Sequence, residues 1–450
     1  MRTTSALILL AALATPAHAD GEAKNVIVFI GDGMGPTTVT AARVFRYGEA
    51  GELHMESLPR TAKIRTFSHD AQTTDSAPSM AAYMTGVKMN NEVLSMSPDT
   101  IAVPPGSGNT VDNCGTANGT PVPTLFEQAR ARGKAVGAVT TTRVTHATPA
   151  ATYAHICHRD LENAIAVQAV GSGLDVLLGG GRRHFLPTTA GGSRTDGRDL
   201  TAEVAAQGYT VATSKSAFTA IDPATTSKLV GLFTSSHMSY ELDRDPSLEP
   251  SLTEMTVKAI ELLSKDPDGY VLVVEGGRID HALHETNAKR ALVDTIAFDD
   301  AIAATIAKVD LTKTLIVVTA DHDHTMVING YAKRTGRTTD SNAGILGLVK
   351  DVVSGALARD AEGMPYSVLG FGNGENRVAG ARSSVPALTD DITAAASYHQ
   401  EAGVRMAPGG ETHGGGDVML MAAGAGSARF KGTLINTQVY GLLRAALGLP

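Results

Sequence analysis

The chain has 450 residues with 38 basic and 46 acidic side chains, a formal net charge of −8. No basic tract offsets that balance, which excludes a nucleic-acid-specific or anionic-membrane partner, and the absence of tryptophan excludes binding on broad aromatic platforms. If the ligand is itself an anion, bound cations have to reconcile it with this charge, and 14 histidines are available to hold them.

The chain opens with the layout of an export signal. Arg2 is followed by the apolar run Ala6–Leu13 and the small-x-small site Ala17-His18-Ala19. That run falls well short of the roughly 20 residues that a membrane span needs. Residues 1–19 are therefore read as a signal peptide and Asp20 as the start of a periplasmic or secreted chain. The Gly-Leu-Pro end carries no hydrophobic tail of the lipid-anchor type, so no membrane anchor is expected. An oxidising compartment admits one bridge between Cys114 and Cys157, with two buried thiols as the alternative. The export signal leans the reading to the bridge.

Val26–Ile30, Ala135–Val139, Tyr270–Val274 and Leu315–Val318 are short apolar runs suited to strands buried on both faces. Helical periodicity lies between them over Val122–Arg132, Leu252–Leu263 and Thr286–Val309. This alternation predicts an α/β fold, a large central and mostly parallel sheet with helices on both faces. Three of the strands run into carboxylates, at Asp32, Glu275 and Asp321. In open α/β sheets the functional crevice lies beyond the carboxyl ends of the strands, so these groups converge on one edge. The stretch 326–410 is rich in small and polar residues with weak periodicity, and reads as an insertion packed on the main domain.

Asp280 and His284 are four apart, so a helical turn projects them from one face, where they can share a metal. By itself that spacing is more often a surface pair. Asp321-His322-Asp323-His324 leaves a buried strand directly, where unpaired carboxylates are costly. Glu411-Thr412-His413-Gly414-Gly415-Gly416-Asp417 adds a histidine among glycines that allow close backbone approach. With Asp32 and Glu275 these clusters form the mixed nitrogen and oxygen set that zinc and magnesium take. Ser76 precedes a predicted helix over Ala77–Met84. As a helix cap it needs no further explanation, yet the same position faces the positive dipole end, which favours an alkoxide and a bound phosphate. No G-x-S-x-G elbow accompanies it, so a metal is the natural activator of its hydroxyl.

The blocks GDGMG (31–35), TDSAPS (74–79), TTTRVTHATPAATYAH (140–155), VEGGRIDHALHE (274–285), TADHDH (319–324) and ETHGGGD (411–417) resemble, in order and over nearly the whole chain, the motifs of alkaline phosphatases. The resemblance implies a single domain over 20–450, with 326–410 as a crown-like region that faces the partner in a homodimer. It implies two zinc ions and one magnesium ion per chain. Asp280, His284 and His413 match the ligands of one zinc. Asp32, Asp321 and His322 match those of the other, with Ser76 as nucleophile completing the shell. Asp32, Thr148 and Glu275 match the magnesium ligands. Arg159 matches the arginine that clamps phosphate, held by Asp75. His146 and His281 stand where the best-known bacterial members carry Asp and Lys, and in this the chain is similar to the animal enzymes. With imidazole at 146, magnesium is expected to bind loosely and zinc to compete for the third site. Gly416 stands where many members have Glu. The implied activity is hydrolysis of small phosphate monoesters through a phosphoserine, with broad substrate range and an alkaline optimum. Glu275, Thr148 and Arg159 argue against a related phosphodiesterase, and Ser76 with Arg159 against a protein that merely sequesters zinc.

Overall fold

The computed structural model describes residues 22–106 and 113–450, so the signal-peptide reading lies outside the described residues. Ten strands form the central sheet: β1 Asn25–Gly31, β2 Arg60–Arg65, β3 Ala135–Arg143, β4 Val176–Gly180, β5 Thr210–Ala212, β6 Leu229–Leu232, β7 Tyr270–Gly276, β8 Thr314–Ala320, β9 Val418–Gly424 and β10 Gly432–Ile435. They lie in the order β10-β2-β9-β8-β1-β7-β3-β4-β6-β5. All pairs are parallel except those of β9, which runs antiparallel to β2 and β8.

The four apolar runs of the sequence are the four central strands, and β1, β7 and β8 are buried almost throughout, as strands covered on both faces must be. Their register brings the strand ends level. Ile30 pairs with Glu275 across β1 and β7, and Gly31 pairs with Ala320 across β1 and β8. Asp32, Glu275 and Asp321 therefore stand together on one edge. Helices Leu252–Leu263 and Ala288–Lys308 pack on each other and on the central strands, and Ser76–Thr85 packs on Asn436–Ala446.

Two helices are shorter than their periodicity predicts. The one expected over Val122–Arg132 spans Leu125–Arg130, because Thr124 and Glu127 close a capping box there. The long helix begins at Ala288, where the Asn287 side chain accepts from Arg290 N–H. The strands beyond the central four escaped the periodicity, since they are short or, like β4 and β9, interrupted by Gly and Ala. Residues 326–410 contain a small sheet of Met326–Ile328, Leu369–Gly374 and Ala402–Arg405. This region meets helix Pro36–Tyr47, where Thr338 N–H donates to Phe45 O at 3.0 Å. Cys114 and Cys157 are bridged, with their Cα atoms 5.6 Å apart.

Candidate active site

Asp32 follows β1 at a tight turn completed by Gly33, whose φ is +66° and where a side chain would press within 2.4 Å of the His324 ring. Gly33 N–H and His322 N–H both donate to Asp321 Oδ1 at 3.0 Å. The turn after β1 is thereby tied to the end of β8. Ser76 is the first residue of helix Ser76–Thr85, and Asp75 is its cap, accepting from Ala77 N–H at 2.7 Å. The helix points its N-terminus into the crevice, and Ser76 Oγ lies 3.3 Å from Asp32 Oδ1 and 3.3 Å from His322 Nε2. Sequence separations of 44 and 246 residues close in that one contact set.

Three groups of side chains bring their ligand atoms within 4.8 Å of one another, close enough to hold a metal ion. They are Asp280, His284, His324 and His413; Asp32, Asp321 and His322; and Asp32, His146 and Glu275. The histidine tautomers support this reading. Nδ1 of His284 faces Glu411 O, that of His322 faces Asp323 O at 3.2 Å, and that of His413 faces Thr74 O at 2.8 Å. A carbonyl only accepts, so Nδ1 carries the proton and Nε2 offers its lone pair inward, the usual support of a ligating imidazole. The Nε2 atoms of His284 and His413 stand 3.2 Å apart, an approach of two lone pairs that suits a shared cation.

The oxygen atoms agree. Asp32 Oδ2, Asp321 Oδ2, Glu275 Oε1 and Thr148 Oγ1 are buried without a hydrogen-bond partner among the described residues. Buried oxygens in this state are costly unless a cation satisfies them. Burial, reinforced by Asp321, Asp280 and Glu275, raises Asp32 well above the usual carboxylate range. Burial also pushes Glu275 up to about 7, against the hydrogen bond from Thr140. Asp280 behaves oppositely. Burial resists its ionisation, but His284 and His324 outweigh it and hold the carboxyl well below its ordinary value. The donor sets therefore fit the two kinds of ion: mixed Asp and His for zinc, and the oxygens of Asp32, Thr148 and Glu275 for magnesium.

Arg159 lies beside this cluster. Its Nη1 donates to Asp75 Oδ1 at 3.1 Å and its Nη2 to His146 Nε2 at 2.8 Å. Burial depresses the guanidinium, yet Asp75 and Glu92 raise its pKa overall, so it stays charged. His281 joins His146 at 5.4 Å between ring centroids and accepts from Arg278 Nη1 through Nδ1. The candidate ligands, Ser76, Asp75, Arg159, His146 and His281 thus lie in one continuous cluster beyond the strand ends.

Sequence reasoning named His324 and Glu411 within their clusters without giving either a role, and passed over His237. His324 bonds Asp280 Oδ1 at 2.8 Å through Nε2 and Glu411 Oε2 at 2.6 Å through Nδ1. Burial lowers its pKa, but Glu411 and Asp280 bring it up to about 10, and with both ring nitrogens facing carboxylates it orients Asp280 rather than offering a lone pair to an ion. The alternation in Asp321–His324 held the signal, because His322 and His324 point to the same side of an extended segment. His237 meets His281 edge to face, at 4.2 Å between centroids, from a loop after β6 and had no local signature. Gly416 is also explained: a Cβ there would lie 2.6 Å from Asp323 Oδ2, so Asp323 fills the space.

Comparison with known proteins agrees with this geometry. The alkaline phosphatase family model matches residues 23–449. The tissue-nonspecific alkaline phosphatase of Gallus gallus is 38% identical, covering 89% of this chain and 80% of its own length. The alkaline phosphatase of Thermus thermophilus superposes with a TM-score of 0.68 at 28% identity, covering 96% of this chain and 92% of that one. That of the Antarctic bacterium TAB5 shares the fold, with a TM-score of 0.68 at 23% identity over 96% and 99% of the two chains. Motif order, a crevice built to bind metals and these relatives lead to one conclusion: the chain belongs to the alkaline phosphatase family and is a metal-dependent phosphomonoester hydrolase.

Proposed function

We propose that the chain hydrolyses a broad range of phosphate monoesters at alkaline pH through a phosphoserine formed on Ser76. The observation that carries this reading is the placement of Ser76 Oγ, at a helix N-terminus and 3.3 Å from both Asp32 and His322. Asp280, His284 and His413 would hold one zinc, Asp32, Asp321 and His322 the other, and Asp32, Thr148 and Glu275 a magnesium. When bound, these ions supply Lewis acidity that stabilises charge on the entering and leaving oxygens.

The protein's own residues do the rest. Arg159 presents a planar fork to two phosphoryl oxygens, a task for which its geometry suits it. Asp75 and His146 hold the guanidinium in place. The helix dipole favours negative charge at Ser76. Ser76 Oγ attacks phosphorus in line, the ester P–O bond breaks, and the departing oxygen leaves protonated as the alcohol. Water then attacks the phosphoserine, releasing inorganic phosphate and restoring the hydroxyl. Recognition is confined mainly to the phosphoryl group, hence the breadth of substrates.

We place this activity outside the cytoplasm, which the Cys114–Cys157 bridge supports. The test is turnover of p-nitrophenyl phosphate against its bis ester, alongside metal analysis of the purified protein. The monoester is expected to be far the better substrate on protein carrying zinc and magnesium. Preference for the bis ester would overturn the reading.

A further inference from the structure

Glu92 is not needed to bind metal or to attack phosphorus, yet the fold holds it in a costly conformation beside the clamp. Its φ is +72°, in the left-handed region that a glutamate rarely occupies. The strain is maintained by two backbone bonds. Glu92 N–H donates to Asp75 Oδ2, and Glu92 O accepts from Arg159 N–H at 2.8 Å. The residue is thus fixed between the cap of the nucleophile's helix and the clamping arginine.

Among the described residues no cation bonds its carboxylate directly, and Arg159 attracts it only from beyond ion-pair distance. Arg159 spends its Nη atoms on Asp75 and His146, and the nearest basic atom to Glu92 is His158 Nε2 at 4.0 Å. Burial, with Arg159 adding to it, lowers His158 and keeps it neutral at alkaline pH. The Glu92 side chain is 42% exposed, so its charge stands at the rim of the crevice. The groups facing it are Asp75 from the helix N-terminus and His158, Arg159 and Asp160 from the neighbouring segment. Burial and Asp75 raise its carboxyl to about 7, with Arg159 opposing. At the working pH it is therefore ionised.

An unneutralised carboxylate beside a site that binds a dianion works against binding, and more so when the substrate carries further negative charge. We infer that Glu92 is a specificity-determining residue of the Ser76 site, selecting phosphomonoesters of neutral or cationic alcohols over those whose leaving group bears its own anion. This rests on the monoesterase reading of the site. The same repulsion weakens retention of inorganic phosphate and so speeds its release.

The test compares phenyl phosphate with 4-carboxyphenyl phosphate on the zinc- and magnesium-loaded enzyme at pH 9 and low salt. Wild type should favour phenyl phosphate in kcat/KM. Glu92→Gln, which keeps the side chain's shape and both backbone ties, should reduce that preference on the order of fivefold, the size of a like-charge repulsion screened at a protein surface. It should also tighten competitive inhibition by inorganic phosphate. Glu92→Asp, which retains the charge, should retain most of the preference. The difference between wild type and Glu92→Gln should shrink at about 0.5 M salt and below neutral pH. An unchanged ratio in Glu92→Gln, with phosphate inhibition also unchanged, would overturn the inference while leaving the monoesterase reading in place. Wild type that turns over neither ester would overturn both.

Discussion

At the scale of single residues, the crevice is a set of side chains that satisfy each other only in part. His284, His322 and His413 each spend one ring nitrogen on a backbone carbonyl and aim the other inward. Ser76 sits among them, 1% exposed. Ser76→Ala should abolish most turnover while leaving zinc content and fold intact, because a water replaces the hydroxyl only in part. Near-normal turnover of p-nitrophenyl phosphate by that variant would refute the nucleophile assignment. Arg159→Ala should act mainly on binding. The lost charge-assisted pair is worth about 1.5–3 kcal/mol, so inhibition by inorganic phosphate should weaken roughly ten- to a hundredfold. Unchanged phosphate inhibition would exclude the clamp.

At the scale of elements, function is delivered by ends rather than middles. Strands β1, β7 and β8 are apolar almost to their ends; Asp32 and Asp321 follow directly after the paired Gly31 and Ala320, and Glu275 lies one step back on β7, level with Ile30. Helix Ser76–Thr85 brings its first residue, and the short helix Arg278–His284 brings Asp280 and His284 on one face. The long helix Ala288–Lys308 contributes differently. Its Asp294 is buried, and burial raises the carboxyl to about 8 despite Arg278 and the bond from Glu241 N–H. An acid raised in the folded state holds its proton there while the unfolded chain, near 4, has lost it. The stability linked to Asp294 is therefore complete below about pH 4 and is lost progressively as pH rises through about 8. Asp294→Asn, which cannot ionise, should melt higher than wild type at pH 9 and lose that advantage near pH 4. The opposite pH trend in scanning calorimetry would contradict a buried, protonated Asp294.

At the scale of the molecule, the sheet edge concentrates Asp32, Asp280, Asp321 and Glu275 in the buried interior of an acidic protein. Such a cluster repels itself unless cations are bound. EDTA should abolish turnover and lower the melting temperature together, and zinc with magnesium should restore both better than either metal alone. Full activity in protein stripped of metal would contradict the scheme. The 326–410 region carries Tyr331 and Val353 at 93% and 92% exposure, with Val404 at 61%. A partner subunit seated on this region would cover them. The chain is expected to be a homodimer through this region, and light scattering at micromolar concentration that returns a monomer mass would overturn that.

What the sequence determined by itself was the central sheet and the ligand clusters. Short apolar runs alternating with helical periodicity read as buried strands, and carboxylates set directly after them then fall at the sheet edge. Asp32, Glu275 and Asp321 were legible for that reason, whereas Ser76, Thr148, Arg159, Asp280, His284, His322 and His413 drew their roles from the ordered motifs. Tertiary structure decided what depends on contacts between distant segments. His324 bridges Asp280 to Glu411, His237 arrives beside His281 on a loop, and Asp323 occupies the space that Gly416 leaves. Glu92 gained its meaning only when Asp75 and Arg159 closed on its backbone from opposite sides, holding a charge that no local pattern could place at the rim of the crevice. Apolar periodicity is a local signal set by burial, whereas the pairing of polar groups is settled by which segments the fold brings within hydrogen-bonding reach.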